Sequence, residues 1–257
     1  MPYADNNGVK IHYEVEGEGP PLVLQHGFTR SLQGWRDNGY VAALKNDYKL
    51  IMVDSRGHGA SDKPHDPEAY EMKLRVGDIL AVMDAEGVSK AHYWGYSMGG
   101  QIGFELAKRA PERFHSLILG GMHPYPRDAS DFGQRIEILK QGMEAYVASL
   151  DTKPDPQSKA LLLANDGEAL AAALDKTQRW PGTEDVLASM TMPCLLFAGE
   201  ADAFFEGSKK AAAHMPNSTF FSMPGLNHTE ANQRSDLVLP HATRFLAGVS
   251  EKVVAAD

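Results

Sequence analysis

The sequence of 257 residues predicts an α/β fold built on a mostly parallel, doubly wound sheet. Short apolar runs at residues 22–24, 50–53 and 91–94 alternate with segments whose apolar spacing is helical. Such alternation is typical of parallel strands that are joined by helices on both faces of a sheet. Polar, glycine-rich segments follow these strands, at the sheet edge where ligands bind in open α/β folds. We therefore expect the functional site at this edge.

The individual elements follow from local patterns. Residues 6–8 are a turn signal that makes the first two strands a hairpin. The second strand of this hairpin is predicted at residues 9–15. Further strands are predicted at residues 22–24, 50–53, 91–94, 116–120, 194–198 and 219–222, and helices at 40–44, 73–86, 101–109 and 237–246. Residues 250–257 are expected to form a frayed tail.

The alternation of strands and helices stops after the sixth predicted strand. Residues 125–191 carry helical apolar spacing without a strand pattern. We interpret this segment as a helical cap inserted over the sheet edge. The predicted division is therefore a core domain of residues 1–124 and 192–257 and a cap of residues 125–191.

Composition limits the classes of function. The net charge is −9, with 34 acidic and 25 basic residues, which disfavours nucleic acid and anionic membranes as partners. The chain starts at methionine and shows no signal peptide or membrane-spanning pattern, so we expect a cytoplasmic protein. Cys194 is the single cysteine and is expected to be a small buried side chain. No cysteine and histidine cluster has zinc spacing, so neither a metal nor another cofactor is predicted.

The pattern Gly-x-Ser-x-Gly at residues 95–99 is the strongest chemical signal. A strand is predicted before it and a helix after it, so Ser97 is placed on a sharp strand-to-helix turn. A hydroxyl there is exposed beside the free N–H groups of a helix N-terminus. Gly95 and Gly99 are expected to leave space where side chains would collide. Ser97 is therefore the predicted nucleophile.

A serine nucleophile needs a base, and the base needs an orienting acid. His228 directly follows the last predicted strand, and Asp202 follows the strand before it. Both loops lie at the edge that holds Ser97, which makes His228 the predicted base and Asp202 the predicted acid. Glu200 and Glu206 are the competing acids.

An oxyanion needs two preorganised N–H donors. Met98 follows the nucleophile at a helix start, and Phe28 ends a His-Gly-Phe segment after a strand, so their backbone amides are the candidates. His26 is expected to brace this loop rather than to act as a second base. Asp54 and Arg56 are expected to tie down a glycine-rich turn.

These motifs resemble those of the α/β-hydrolase superfamily, in family order and over nearly the whole chain. The resemblance implies an eight-stranded, mostly parallel sheet with a helical cap. It also implies Ser97 as nucleophile, Asp202 as acid, His228 as base, and the Phe28 and Met98 amides as the oxyanion site. The matching segments are His26-Gly27-Phe28, residues 54–61, Gly95-Tyr96-Ser97-Met98-Gly99-Gly100, Gly199-Glu200-Ala201-Asp202 and Asn227-His228.

At two positions the sequence differs from particular subgroups of this superfamily. Relatives that cleave carbon–carbon bonds often have an aromatic residue after the catalytic histidine, whereas Thr229 and Glu230 follow here. Haloalkane dehalogenases and epoxide hydrolases have aspartate at the nucleophile position, so Ser97 argues against both.

The expected reaction is two-step acyl transfer on a small-molecule carboxylic ester or lactone. The basic residues are scattered along the sequence, so we expect a small to medium and largely uncharged substrate. Carbon–carbon hydrolysis, acyl transfer to another acceptor and cofactor-free perhydrolysis on the same triad remain alternatives, as does a ligand receptor with slow turnover. The sequence does not predict the oligomeric state. The candidate pocket residues are Trp35, Tyr125, Phe132, Met143, Tyr146, Trp180 and Phe204.

Overall fold

The computed structural model describes residues 2–128, 130–150 and 153–254. Its strands are β1 (Tyr3–Asn6), β2 (Val9–Glu16), β3 (Pro21–Gln25), β4 (Lys49–Val53), β5 (Ala91–Tyr96), β6 (Phe114–Gly120), β7 (Cys194–Gly199) and β8 (Ser218–Met223). They form one eight-stranded sheet in the order β1-β2-β4-β3-β5-β6-β7-β8. β2 runs antiparallel to both of its neighbours, and β3 to β8 are mutually parallel. The predicted fold class is confirmed.

Helices connect the strands and cover both faces of the sheet. They are α1 (Gln33–Asp37), α2 (Tyr40–Leu44), α3 (Met72–Ala85), α4 (Met98–Arg109), α5 (Ser130–Lys140), α6 (Met143–Ala148), α7 (Pro156–Leu163), α8 (Gly167–Thr177), α9 (Phe205–His214), α10 (His228–Gln233) and α11 (Ser235–Val254). Short 3₁₀ turns add Pro67–Tyr70, Pro111–Arg113 and Glu184–Ser189. In the part of the chain that the structure describes, no helix is both long and apolar enough to cross a bilayer.

Side-chain alternation along the central strands divides the core into two layers. Val23 and Ile51 pack with residues of α3, α4 and α9 on one face. Leu22 and Leu24 pack with residues of α1, α2 and α11 on the other. Cys194 belongs to the first layer and is fully buried, as expected, and burial raises the pKa of its thiol to about 12. Burial on both faces explains why these strands appear in the sequence as continuous apolar runs.

The last helix is longer than predicted. It begins at Ser235 and continues to Val254, so the predicted tail is wrong for residues 250–254. The apolar face explains the extension, because Val249 is buried three residues beyond the expected end. Residues 255–257 lie outside the described residues. Helix α4 also begins three residues before its predicted start, directly after Ser97.

The segment between β6 and β7 contains α5 to α8 and the turn Glu184–Ser189. Its helices enclose an apolar cluster of their own, which includes Phe132, Leu139 and Leu170. The two ends of the segment meet where the Thr183 N–H donates to the Pro124 carbonyl over 2.8 Å. The domain boundaries at residues 125 and 191 stay a prediction. We refer to residues 125–191 as the helical segment.

Candidate active site

Ser97 lies between β5 and α4 in a backbone conformation that non-glycine residues rarely adopt. Its φ is 54° and its ψ is −114°. The Ser97 N–H donates to the Gly120 carbonyl over 2.8 Å, and its carbonyl accepts from the Gln101 N–H over 2.9 Å. Such a conformation costs about 1–3 kcal/mol and persists only where the surroundings enforce it. Here the sheet and the helix together hold the serine at the sharp turn.

Two glycines let the backbone close tightly around this turn. A Cβ atom on Gly95 would lie 2.2 Å from the Gly99 carbonyl oxygen. A Cβ atom on Gly99 would lie 2.2 Å from the Gln25 carbonyl oxygen on β3. Both distances are shorter than a carbon–oxygen contact allows, so any larger residue would push the helix off the sheet. The spacing of these glycines is therefore a steric requirement.

Ser97, His228 and Asp202 form a continuous hydrogen-bonded chain. His228 Nε2 is 2.9 Å from Ser97 Oγ, and His228 Nδ1 is 2.7 Å from Asp202 Oδ2. An ionised carboxylate only accepts hydrogen bonds, so Nδ1 carries the proton and Nε2 of the neutral ring is free to accept. This tautomer can take a proton from the serine hydroxyl.

Asp202 is the acid that the fold brings to His228. Its side chain is fully buried, and its second oxygen accepts from the Phe204 N–H over 2.9 Å. Glu200 instead accepts from the Ser222 hydroxyl, and Glu206 is exposed on α9. Of the three carboxylates considered from the sequence, Asp202 is thus the one that contacts the imidazole.

His228 is the first residue of α10 rather than a member of a polar loop. The Asn227 side chain accepts from the backbone N–H groups of Thr229 and Glu230. The Glu230 carboxylate in turn accepts from the Asn227 N–H over 3.0 Å. This reciprocal capping box fixes the start of the helix. The histidine therefore projects from a rigid position.

Two aromatic rings pack against the His228 imidazole. The rings of Tyr96 and Phe204 both lie with centroids 5.2 Å from it. The Tyr96 hydroxyl donates to the His228 carbonyl over 2.5 Å. Burial raises the pKa of Tyr96 well above its usual range, so this hydroxyl stays a donor. These contacts hold the ring, whose side chain is still 35% exposed.

The backbone amides of Phe28 and Met98 flank the serine. Met98 is the first residue of α4, where helix N–H groups lack an intrahelical partner. Phe28 follows Gly27, and a Cβ atom on Gly27 would lie 3.2 Å from Ser97 Cβ. This closeness puts the loop against the serine side chain. Neither amide donates a hydrogen bond to any residue that the structure describes, so both are available.

A family model for the alpha/beta hydrolase fold matches residues 20–191. The chain belongs to the α/β-hydrolase family. The predicted resemblance is thereby confirmed, and the protein is an enzyme of this family. The strand-to-helix turn at Ser97 and the chain order of the serine, aspartate and histidine agree with this membership.

Relatives of this α/β-hydrolase have names that describe different reactions. A protein of Azorhizobium caulinodans, provisionally named carbamate hydrolase RutD, is 31% identical over 79% of this chain and 81% of its own. A Bacillus subtilis protein, provisionally named 2-succinyl-6-hydroxy-2,4-cyclohexadiene-1-carboxylate synthase, is 28% identical over 93% of this chain and 96% of its own. The enol-lactonase of Burkholderia xenovorans LB400 has a similar structure, with a TM-score of 0.87, 24% identity and coverage of 96% of this chain and 100% of that chain. That last likeness concerns the fold alone.

The structure brings some of the predicted pocket residues of this α/β-hydrolase towards the serine. Phe204 contacts His228 directly. Phe132, Met143 and Tyr146 belong to the apolar cluster of the helical segment, against which Phe28 packs. Tyr125 is one contact further away, because its ring lies 5.5 Å from His123, which in turn packs against Phe204.

Trp35 and Trp180 are corrections to the predicted pocket. Trp35 is buried in the core layer of α1, α2 and α11, where its ring packs edge-on against Tyr40 and Trp94. Trp180 donates from Nε1 to the buried Glu105 carboxylate over 2.7 Å. Glu105 lies two helical turns beyond Ser97 on α4. Trp180 lines a surface cavity of about 210 Å³, and none of Ser97, Asp202 and His228 lines that cavity. Apolar aromatic residues fill core positions at least as well as pockets, which is why composition alone misplaces them.

His26 braces the loop before Phe28, as expected. Its Nδ1 lies 2.8 Å from the Gly27 carbonyl, and its Nε2 accepts from the Ser55 N–H over 3.1 Å. Burial lowers its pKa, so the ring is neutral with its proton on Nδ1. Both nitrogens are thus engaged in holding backbone, which excludes a role as a second base.

Asp54 and Arg56 tie down the glycine-rich turn, as expected. Asp54 accepts from the N–H groups of Leu32 and Ala60 and so joins the turn to the loop before α1. Arg56 anchors the turn to α3 through a buried, two-pronged ion pair with Asp78, in which the guanidinium donates two hydrogen bonds to the carboxylate.

Tyr96 and Asn227 are the positioning residues that sequence reasoning missed. Asn227 and Glu230 have the spacing of a capping box, so that pattern was available in the sequence. Tyr96 had no comparable signal. Its position inside the serine motif gives no indication that its ring and hydroxyl contact His228, which lies 132 residues later.

Proposed function

We propose that the protein is a serine hydrolase that cleaves a small to medium carboxylic ester or lactone through an acyl-enzyme intermediate. The observation that supports this most is the hydrogen-bonded chain from Asp202 through His228 to Ser97. Its serine lies at a strained turn beside two backbone amides that donate to none of the described residues, which is the arrangement that nucleophilic acyl transfer needs.

Acylation follows from this geometry. Ser97 Oγ attacks the carbonyl carbon while its proton passes to His228 Nε2. Asp202 holds the ring in the tautomer that accepts this proton and stabilises the imidazolium that forms. The amides of Phe28 and Met98 donate to the developing oxyanion. His228 then returns the proton to the leaving alkoxide, so that the alcohol departs and the acyl group stays on Ser97.

Deacylation repeats the same steps with water in place of the serine. His228 Nε2 takes a proton from a water molecule, whose oxygen attacks the acyl carbon. The oxyanion collapses, the bond to Ser97 Oγ breaks, and the proton from His228 returns to the serine. In a lactone the leaving hydroxyl remains attached to the acyl group, so the product is a single hydroxy acid.

The helical segment is proposed to act as a cap that limits what reaches the serine. The apolar cluster of this segment packs against Phe28, and Asn165 donates to the Thr29 carbonyl over 3.2 Å. The wall over the oxyanion loop therefore comes from the segment. Within this proposal the enzyme works in the cytoplasm on a small molecule, without a metal or another cofactor.

The names of the relatives extend the range of bonds to be tested. A carbamate carbonyl, as in the name of the Azorhizobium caulinodans relative, undergoes the same attack as an ester carbonyl. The triad does not distinguish these substrates, because it acts on the carbonyl and not on the rest of the molecule. The class of bond is therefore a matter for direct assay.

The test is a panel of p-nitrophenyl esters of increasing chain length, aliphatic lactones, a p-nitrophenyl carbamate and a dienoate, with product analysis for each. The proposal predicts turnover of short esters or lactones and its loss, by at least about 10⁴-fold, in the Ser97→Ala variant. Circular dichroism of that variant should be unchanged. Cleavage of the dienoate alone, or ester turnover that survives the substitution, would contradict the proposal.

A further inference from the structure

Backbone strain concentrates beside the two proposed oxyanion donors. Among the residues that the structure describes, three that are not glycine have a positive φ: Asn7 at 56°, Thr29 at 63° and Ser97 at 54°. Asparagine adopts this conformation readily in a turn, whereas it is unfavourable for serine and more so for a β-branched threonine. Ser97 directly precedes Met98, and Thr29 directly follows Phe28. Each proposed donor therefore has a strained neighbour.

Thr29 occupies the third position of a four-residue turn. The Arg30 N–H donates to the Gly27 carbonyl over 3.2 Å and closes this turn, which we call the oxyanion turn, residues 27–30. A positive φ at the third position is what a type II turn requires, and glycine or asparagine usually supplies it. The conformation of the turn sets the direction of its peptide groups, and the Phe28 N–H belongs to one of them. A residue that holds Thr29 in place therefore also holds the proposed donor.

A side chain from the helical segment contacts this strained residue. Asn165 Nδ2 donates to the Thr29 carbonyl over 3.2 Å. Thr29 is only 8% exposed, so water competes little for this carbonyl. The same nitrogen lies 3.0 and 3.1 Å from the carbonyls of Leu161 and Leu162, at the end of α7. Asn165 thus joins the end of α7 to the oxyanion turn, with the two hydrogens of its amide shared between them.

The backbone around Asn165 is fixed by its neighbours. Asn165 lies in the short connection between α7 and α8. Next to it, the Asp166 side chain caps α8 by accepting from the Ala169 N–H over 3.0 Å. The Asp166 carboxylate also lies 3.0 Å from His65 Nε2, just before the 3₁₀ turn Pro67–Tyr70. The amide of Asn165 is therefore placed in advance, as a group that positions others must be.

The Phe28 ring is enclosed by the same segment. It packs against the apolar cluster of the helical segment and against a second cluster of Tyr70, Ala172 and Ala173. These contacts act on the side chain, whereas the hydrogen bond from Asn165 acts on the backbone of the oxyanion turn. The helical segment therefore holds this turn in two ways.

We propose that Asn165 is a positioning residue of the active site: its hydrogen bond keeps Thr29 at a positive φ and so keeps the Phe28 amide directed at the oxyanion. This inference rests on the proposed function, because it names a further residue on which the same site depends. It also extends the role of the helical segment, which then both limits access to the serine and holds one of its oxyanion donors. With the segment displaced, the triad would stay intact and this donor would lose its alignment.

The kinetic test replaces Asn165 in two backgrounds. Asn165→Ala should lower kcat for p-nitrophenyl butyrate by about tenfold and leave KM within about twofold, because the donor is displaced rather than removed. Glycine adopts a positive φ without strain, so the Thr29→Gly variant no longer needs the hydrogen bond. Adding Asn165→Ala to Thr29→Gly should therefore lower kcat by less than about threefold. This double-mutant cycle measures the coupling between the two positions.

A matched control separates positioning from folding. Asn217 Nδ2 also donates to a threonine carbonyl over 3.2 Å, that of Thr191, before β7 and β8 at the sheet edge opposite to Ser97. Asn217→Ala should keep both kcat and KM within about twofold.

Three results would overturn the proposal. If Asn165 only capped the end of α7, Asn165→Ala would cost the same in both Thr29 backgrounds. A wild-type kcat in Asn165→Ala would show that the turn holds itself. An inactive Thr29→Gly variant would show that the site depends on the threonine side chain and not on the backbone conformation.

An exchange measurement keeps this result distinct from the fate of the proposed function. The Arg30 N–H that closes the turn should exchange with solvent at least about fivefold faster in Asn165→Ala than in the wild type or Asn217→Ala, as followed by NMR. If no ester is hydrolysed but this dependence holds, the proposed function fails and the hold of Asn165 on the turn stands. If the ester is hydrolysed and neither kcat nor exchange responds to Asn165→Ala, the positioning role fails and the proposed function stands.

Discussion

The sheet edge and the helical segment hold their groups in different ways. At the sheet edge, Ser97 and Asp202 follow strand ends and His228 begins a capped helix, and hydrogen bonds of 2.7 and 2.9 Å join the three. In the helical segment, Arg127 packs against the ring of Phe204 and Arg135 against the ring of Phe28. The strand ends therefore fix the hydrogen-bonded groups through backbone, whereas the segment contributes side chains around them. Under the proposed function, the sheet edge would set the chemistry and the helical segment the choice of substrate.

The largest effect is expected when Asp202, the acid of the sheet-edge site, is replaced. Asp202→Asn should lower kcat for a p-nitrophenyl ester by about 10³- to 10⁴-fold, because an amide at that position no longer fixes the proton on His228 Nδ1. Glu200→Gln is the matched control, since Glu200 accepts from Ser222 instead of His228. It should keep kcat within about twofold. Steady-state kinetics of both variants measure the difference, and a comparable loss in Glu200→Gln would mean that the acid has been misassigned.

The smallest effect on activity concerns the two tryptophans that the sequence misplaces in the pocket. Trp180→Phe should leave kcat/KM within about twofold and lower the free energy of unfolding by about 1–3 kcal/mol, because a buried oxygen of Glu105 loses its donor. Trp35→Phe is the control, since the Trp35 indole nitrogen is buried without a hydrogen-bond partner in the described part of the chain. Urea denaturation and ester kinetics of both proteins test this. A rise in KM for Trp180→Phe would indicate that Trp180 contacts the substrate after all.

Much of the sheet edge was predictable because it depends on short-range patterns. The glycines around Ser97 are required by local clashes, and Asp202 and His228 follow apolar strands that are evident in the sequence. Parallel strands then bring their carboxyl ends to one edge, whatever the details of packing. Asp202 was preferred to Glu200 from the sequence although both lie in the same loop, and the structure places Asp202 against His228 and Glu200 against Ser222.

The helical segment was less predictable because its contacts are long-range. The contact of Trp180 with Glu105 joins residues 75 positions apart. At the sheet edge, the Tyr96 contact with His228 was missed for the same reason, since it joins residues 132 positions apart. Arg127 and Arg135 lie near each other in sequence, yet nothing local indicates which rings they cover. The length of α11 was missed for a similar reason, since the burial of Val249 depends on tertiary packing.

The proposed mechanism depends on Ser97 as the nucleophile and on His228 as the base that activates it. A fluorophosphonate reagent forms a stable adduct with an activated serine hydroxyl, and peptide mapping by mass spectrometry locates the adduct. We expect one adduct, on the peptide that contains Ser97, with labelling strongly slowed in His228→Ala and absent in Ser97→Ala. Labelling of another residue, or unmodified Ser97 in a protein that has lost its ester turnover, would contradict it.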